Sequence, residues 1–314
     1  MKSDLDPNHS GSKTNAFYRD NPITMLLARV LTTVLLITAS VHFSTKRADG
    51  QTPLLEPGDR VAVVGGTMIE RMQSSGALEA ELQSRQPDWK LRIRNLGWSG
   101  DDVHGIARKV FDNPEAGFQR ILRDVSTADP TVVLIAYGFA EASDGWAAMD
   151  RYEAGLNRLL AELAKQKRRV ILMSPFSMPG ILTPGYDQSM SRCQQITAAV
   201  GKERNLPVVV TNWVPGVNEV TKDGLHPNQL GFSTLAASLA DQLVGGVSRD
   251  HAINKTLSQH IVKKNQLFFH RYRPQNETYL FLFRKHEQGN NASEIPQFDP
   301  LIDAADEQIW AAAK

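Results

Sequence analysis

Cysteine is almost absent from this 314-residue sequence. Cys193 stands alone, which excludes an intrachain disulfide framework and a cysteine-built zinc cluster. Its neighbours, "SRCQQ", carry no motif, so it reads as a plain thiol. An excess of one charge is missing too. The 35 Lys and Arg against 34 Asp and Glu leave a net charge of +1, whereas a dedicated nucleic-acid binder is usually clearly basic. No GxGxxG, no GxxxxGK and no His-x-x-x-His pair occurs, so neither an organic cofactor nor a metal is expected. What remains, 41% hydrophobic and 22% charged residues, is the composition of a globular protein.

One long apolar run exists, "ITMLLARVLTTVLLITASVHF" at 23–43, behind a polar leader. It is about as long as a membrane-spanning helix needs to be, but Arg29 interrupts it and leaves an apolar stretch at 30–37. Arg29 before that stretch and "TAS" (38–40) after it fit a secretory signal, with Met25 an alternative start. An uncleaved signal anchor, with Lys46 and Arg47 on the far side, fits equally. Either way residues 1–50 read as an export segment, which places the protein in the periplasm or anchored facing it.

From Pro57 the chain alternates. Apolar runs at 61–64, 91–96, 132–137, 170–173 and 207–211 are continuous rather than alternating, as parallel strands buried on both faces are. Between them lie helical patterns. At 152–165, for example, Leu156, Leu159, Leu160 and Leu163 mark one face, and a last helix is expected at Gln229–Leu243. The alternation predicts a three-layer α/β/α sandwich over 57–246, with a five-stranded parallel sheet and right-handed crossovers. In such a sheet the residues just after each strand build the site. Residues 247–314 form an extension. Its segment "KKNQLFFHRYRPQNETYLFLFRK" (263–285) interleaves basic and aromatic residues, a pattern that nucleic acid or a membrane surface can use. The simpler expectation is that its aromatics pack on the α/β domain and nucleic acid is no partner.

The strand ends read, in order, Gly65-Gly66-Thr67; "NLGWSGDDV", with Asn95, Gly97, Ser99, Gly100 and Asp101; "YGFAEASDG", with Gly138, Ala140 and Glu141; and "DGLHPN", with Asp223 three residues ahead of His226. This series resembles the SGNH (GDSL) hydrolase family over about 57–235, most specifically in "DGLHPN" followed by "QLGFSTLAASL". The first block, "GDRVAVVGGTMIERMQ", and the tail "KNQLFFHRYRPQN" resemble a planctomycete-type branch that carries Thr in that block and a C-terminal extension. The resemblance implies that Thr67 takes the place of the nucleophilic Ser and Gly66 that of the usual Asp. It implies that Gly100 supplies an oxyanion-hole N–H and that Asp223 and His226 fill the Asp-x-x-His slots. Ala140 departs from the pattern, standing where the family has an oxyanion-binding Asn. Glu141 follows in the place of an acidic residue.

A hydroxyl becomes a nucleophile when an imidazole takes its proton, and the imidazole needs an acceptor on its other nitrogen. Thr67, His226 and Asp223 fit those roles. Donors aimed at the developing oxyanion carry much of such catalysis, and losing one costs about 10²–10³ in rate. A water, Asn95 or Ser99 could substitute for the amide missing at Ala140, and Glu141 reads most simply as a solvated or structural carboxylate, though it could bind a substrate hydroxyl. Thr67 also reads as a helix N-cap, and its β-methyl restricts χ1. Two functions follow. One is an exported hydrolase of acyl or acetyl esters, with a small-molecule or glycan ester as partner; the other is a binding or scaffold module that has lost turnover.

Overall fold

The structure is a computed structural model that describes residues 52–178, 180, 181, 183–211, 219–245 and 253–314. The apolar run at 23–43, and with it the export reading, lies outside the described residues.

Strands β1 (Arg60–Gly65), β2 (Arg92–Gly97), β3 (Val132–Ala136), β4 (Arg169–Met173) and β5 (Val208–Val209) form one parallel sheet in the order β2-β1-β3-β4-β5. Val61, Ala62, Val63 and Val64 are all buried, as are all five residues of β3, which is why these segments read as unbroken apolar runs. Helices flank the sheet: α1 (Thr67–Ser75), α2 (Ala77–Arg85), α3 (Pro114–Ala128), α4 (Phe139–Ser143), α5 (Met149–Lys165), α6 (Tyr186–Glu203) and α7 (Gln229–Leu243). The three-layer sandwich is present. Leu156, Leu159, Leu160 and Leu163 form the buried stripe of α5, which packs on α6, while α2 packs on α7. Asn113 caps α3 through Ala116 N–H, with Pro114 at its first position.

All five strands differ from the expected runs by one or two residues at an end, and two of these differences have a visible cause. Leu91 stays outside β2 because its carbonyl accepts from Gln83 Nε2 (2.7 Å) and Trp310 Nε1 (3.0 Å). The run at 207–211 supplies only two strand residues. It pairs with β4 alone, and the Gln242 side chain takes both Val210 N–H (2.9 Å) and Val210 O (2.7 Å).

The extension folds as α8 (Lys255–Tyr272), a run of single turns, and α9 (Phe298–Ala312), and it packs with the α/β layers as one unit. Phe268 and Tyr272 are buried, whereas Phe281 and Phe283 are exposed. Lys264 is fully buried and donates to Glu79 Oε2 (2.7 Å), Ile93 O (2.8 Å) and Asn265 Oδ1 (2.8 Å). Burial pulls the Lys264 ammonium down and pushes the Glu79 carboxyl up, so their mutual attraction only partly offsets desolvation. Among the described residues no helix is long and apolar enough to cross a membrane.

Candidate active site

The sheet order reverses between β1 and β3, and a crevice opens there at the strands' carboxyl ends. Thr67 follows β1 as the first residue of α1. Gly66 holds the N-cap position, and no side chain caps the helix. The capping role is therefore not what Thr67 does: its Oγ1 accepts from Gly100 N–H at 2.9 Å. As a first-turn residue, Thr67 also presents an N–H that has no carbonyl partner within the helix. A Cβ at Gly66 would meet the Asp101 carbonyl oxygen at 2.8 Å, so this backbone approach excludes the Asp of the family pattern. Gly100 sits at φ +76°, where a side chain would be strained.

The turn 221–227 is a small closed hairpin. Thr221 and Pro227 form an antiparallel bridge, Lys222 N–H donates to His226 O (2.9 Å), and Gly224 takes φ +75° at the bend. Asn228 then caps α7 through Gly231 N–H at 3.0 Å. Within the turn Asp223 Oδ1 accepts from Leu225 N–H (3.0 Å) and His226 N–H (2.7 Å), while Oδ2 lies 2.7 Å from His226 Nδ1. The His226 ring, helped by those two N–H groups, holds the Asp223 carboxyl well below the usual carboxylate range. With Nδ1 engaged, Nε2 is the nitrogen left to work as a base.

Thr67 and His226 line one pocket of about 180 Å³, together with Gly66, Ala140 and Glu141. Its walls are mostly apolar, contributed by Met68, Phe139, Met178, Ile181 and Leu225. Beneath it lies a buried charge network. Asp101 Oδ2 accepts from Arg108 Nε (2.7 Å) and Tyr137 OH (3.0 Å), and Arg108 reaches Asp124 (3.1 Å) and Leu96 O (2.7 Å). Burial raises Asp101 and Asp124. It works against the charge of Arg108, which Tyr137, Asp101 and Asp124 nevertheless hold above its ordinary value.

Three expected site residues are not free to meet a substrate. Asn95 is buried, and its amide is spent on backbone, donating to Ile69 O (2.6 Å) and accepting from Gly97 N–H (2.9 Å). Ser99 Oγ donates to Glu70 Oε1 (2.8 Å), and Ser99 N–H donates to Glu70 Oε2 (2.7 Å). Neither therefore replaces the amide missing at Ala140. Glu141 borders the pocket, but its oxygens accept from Val103 N–H (2.8 Å) and Gly138 N–H (2.9 Å). Burial pushes its carboxyl up to about 7. Glu70 was legible only as an acid three residues past Thr67, and the Tyr137–Asp101–Arg108 network left no sequence signal. Among the described residues no three His, Cys, Asp or Glu side chains converge as a metal site.

No protein-family model matches the chain. An acetylxylan esterase from Geobacillus stearothermophilus is 26% identical over 211 residues, covering 61% of this chain and 89% of that protein. Among solved structures, a catalytic mutant of an acetylxylan esterase from the same organism is 19% identical with a TM-score of 0.51, covering 63% of this chain and 99% of that one. A second variant of an acetylxylan esterase from that organism is likewise 19% identical with a TM-score of 0.50, covering 62% and 99%. The structural likeness establishes the fold, and with the curated relative it supports an SGNH/GDSL-like hydrolase superfamily for the α/β part of this chain.

Proposed function

We propose that this protein is an ester hydrolase that removes short acyl groups, acetyl foremost, from carbohydrate or other small alcohols. The observation that carries the reading is a single hollow lined by both Thr67 and His226, with His226 Nδ1 held by Asp223. Thr67 Oγ1 attacks the acyl carbon while its proton passes to His226 Nε2. Asp223 holds the ring's tautomer and stabilises the imidazolium. Negative charge forms on the carbonyl oxygen, facing Thr67 N–H and Gly100 N–H, the latter passing to it from Thr67 Oγ1 as that oxygen bonds the acyl carbon. The imidazolium then protonates the departing alkoxide, leaving an acyl ester on Thr67. Water, deprotonated by the same ring, releases the carboxylic acid. The pocket's small volume and apolar walls suit a short acyl group. The relatives named as acetylxylan esterases support an acetylated glycan as substrate.

A second reading has its own observation. Ala140 lines the pocket where an amide donor would serve, and an absent donor costs about 10²–10³ in rate. A binding module with this pocket and no turnover would look the same there. Rates of the purified chain on 4-nitrophenyl acetate and acetylated xylo-oligosaccharide separate the two. Turnover lost in both Thr67→Ala and His226→Ala supports the enzyme. An inert wild type that gains activity in a Thr67→Ser, Ala140→Asn double variant supports the binding module. The proposal extends to export through the 23–43 segment, and recovery of the native chain from the cytoplasm alone would refute that part.

A further inference from the structure

The oxyanion loop is held from outside the α/β layers. Tyr272, the last residue of α8, donates its hydroxyl to Gly97 O at 2.7 Å. Arg273 follows and donates through Nη1 to Glu70 Oε2, the oxygen that also accepts Ser99 N–H. The Arg273 guanidinium centre lies 3.8 Å from the centroid of the buried Trp98 ring. Arg120, 4.6 Å from the same ring, is bonded to Glu277 of the extension at 2.6 Å. Gly97, Trp98 and Ser99, the three residues before Gly100, are thus each touched by the extension or by a side chain that it holds.

We infer that Tyr272 and Arg273 are positioning residues for the oxyanion donors: they fix the 97–100 loop so that Gly100 N–H, which donates to Thr67 Oγ1 before the reaction, stays within reach of the oxyanion that forms beside it. The inference rests on the ester-hydrolase reading above. Its force comes from Ala140. A site with a side-chain amide tolerates a loose loop better than one that depends on backbone N–H groups, because the amide is carried by a separate element. Here stabilisation falls on Gly100 and Thr67, and misplacing a group by about 1 Å can cost on the order of a hundredfold in rate. Glu70 alone does not secure the loop, since its carboxylate bridges the Ser99 contacts and the Arg273 guanidinium at once. Loss of the cation leaves that carboxylate unpaired and the Trp98 ring without its nearest guanidinium.

The full chain tests this as wild type, Arg273→Ala, Arg273→Lys, Tyr272→Phe and Arg271→Ala. Arg271 serves as control because its partner Asp299 (2.8 Å) lies within the extension. On 4-nitrophenyl acetate Arg273→Ala is expected to lower kcat about tenfold or more, with KM within about twofold of wild type. Arg273→Lys should recover part of the loss and Arg271→Ala should show none. Hydrogen exchange of the peptide spanning 97–101 should speed up in Arg273→Ala and in Tyr272→Phe, which removes only one hydroxyl and keeps the test open if the alanine variant fails to fold. An unchanged kcat with only a lowered Tm, or unchanged exchange at 97–101, overturns the inference. A wild type without turnover refutes the hydrolase reading instead. Exchange then decides alone: faster exchange at 97–101 in Arg273→Ala than in Arg271→Ala retains the positioning role, and equal exchange removes it.

Discussion

The base side and the oxyanion side of the candidate site are built in opposite ways. Asp223 and His226 belong to one turn, three residues apart, with the Asp223 side chain 52% exposed and that of His226 22%. The bonds that join Asp223 to the His226 ring and backbone all come from inside 223–226. Gly100, by contrast, belongs to a loop held by side chains from α1 and from the end of α8, above a buried network of Asp101, Arg108 and Tyr137. The first device is local; the second is long-range, with half-buried Glu70 and Arg273 clamping the loop over a dry network. A carboxylate on each side shows the consequence. Hydrogen bonds in an exposed turn hold Asp223 down, whereas burial beside the second loop pushes Glu141 up to about 7.

The largest effect should follow from breaking the local side. Asp223→Asn keeps the shape of the turn but removes the charge that steadies the imidazolium, and on the proposed mechanism kcat/KM should fall by about 10³-fold. The unfolding transition should barely move, because an exposed ion pair contributes little to stability. Steady-state kinetics beside urea unfolding reads both. A variant that unfolds early but turns over normally would reverse the assignment of this turn from chemistry to structure.

Glu141 sharpens the contrast through pH. Below its ordinary value of about 4.5 the carboxyl is neutral in both folded and unfolded chains, and it costs nothing. Between about 4.5 and 7 the unfolded chain ionises first, so stability is lost as pH rises, by about 3 kcal/mol in total, and the loss persists above 7. Asp223 has the opposite sign: its contribution is present above its ordinary value and disappears as pH falls well below it. Urea unfolding between pH 4.5 and 8 should therefore show a downward slope with rising pH that Glu141→Gln flattens. If the slope survives the substitution, another buried group owns it.

The same contrast explains what the sequence made legible. "DGLHPN" could be read because the bonds that join Asp223 to His226 lie within the motif, and Gln229–Leu243 because Asn228 caps it and its apolar face repeats at helical spacing. The sheet was legible because buried parallel strands leave continuous apolar runs, though at the edge Gln242 took the bonds that a longer β5 would have needed. The bonding of Asn95 and Ser99 was illegible for one physical reason. Besides Gly97 within the block, their polar groups answer Ile69 and Glu70 of α1, and no spacing in the second block reveals those two partners. Tyr272 and Arg273 were further from reach, since a basic–aromatic segment has the same composition whether it meets solvent, a membrane or a Trp98 ring.

Ala140→Asn gives the smallest expected change and bears on the oxyanion side alone. Ala140 is half-buried on the pocket wall, one residue before Glu141, at the start of a helix whose Gly138 N–H is already satisfied by Glu141. An amide there would add a third donor to those of Gly100 and Thr67 without disturbing either. If the two backbone N–H groups already carry most of the oxyanion's charge, kcat should rise only about tenfold, short of the 10²–10³ that one donor is typically worth. A rise of the full size would mean that Gly100 contributes little and that its loop is held in place for some other purpose. No rise at all, with the ester still bound, would move the limiting step to the Thr67 hydroxyl, whose β-methyl restricts the rotamers from which it can attack.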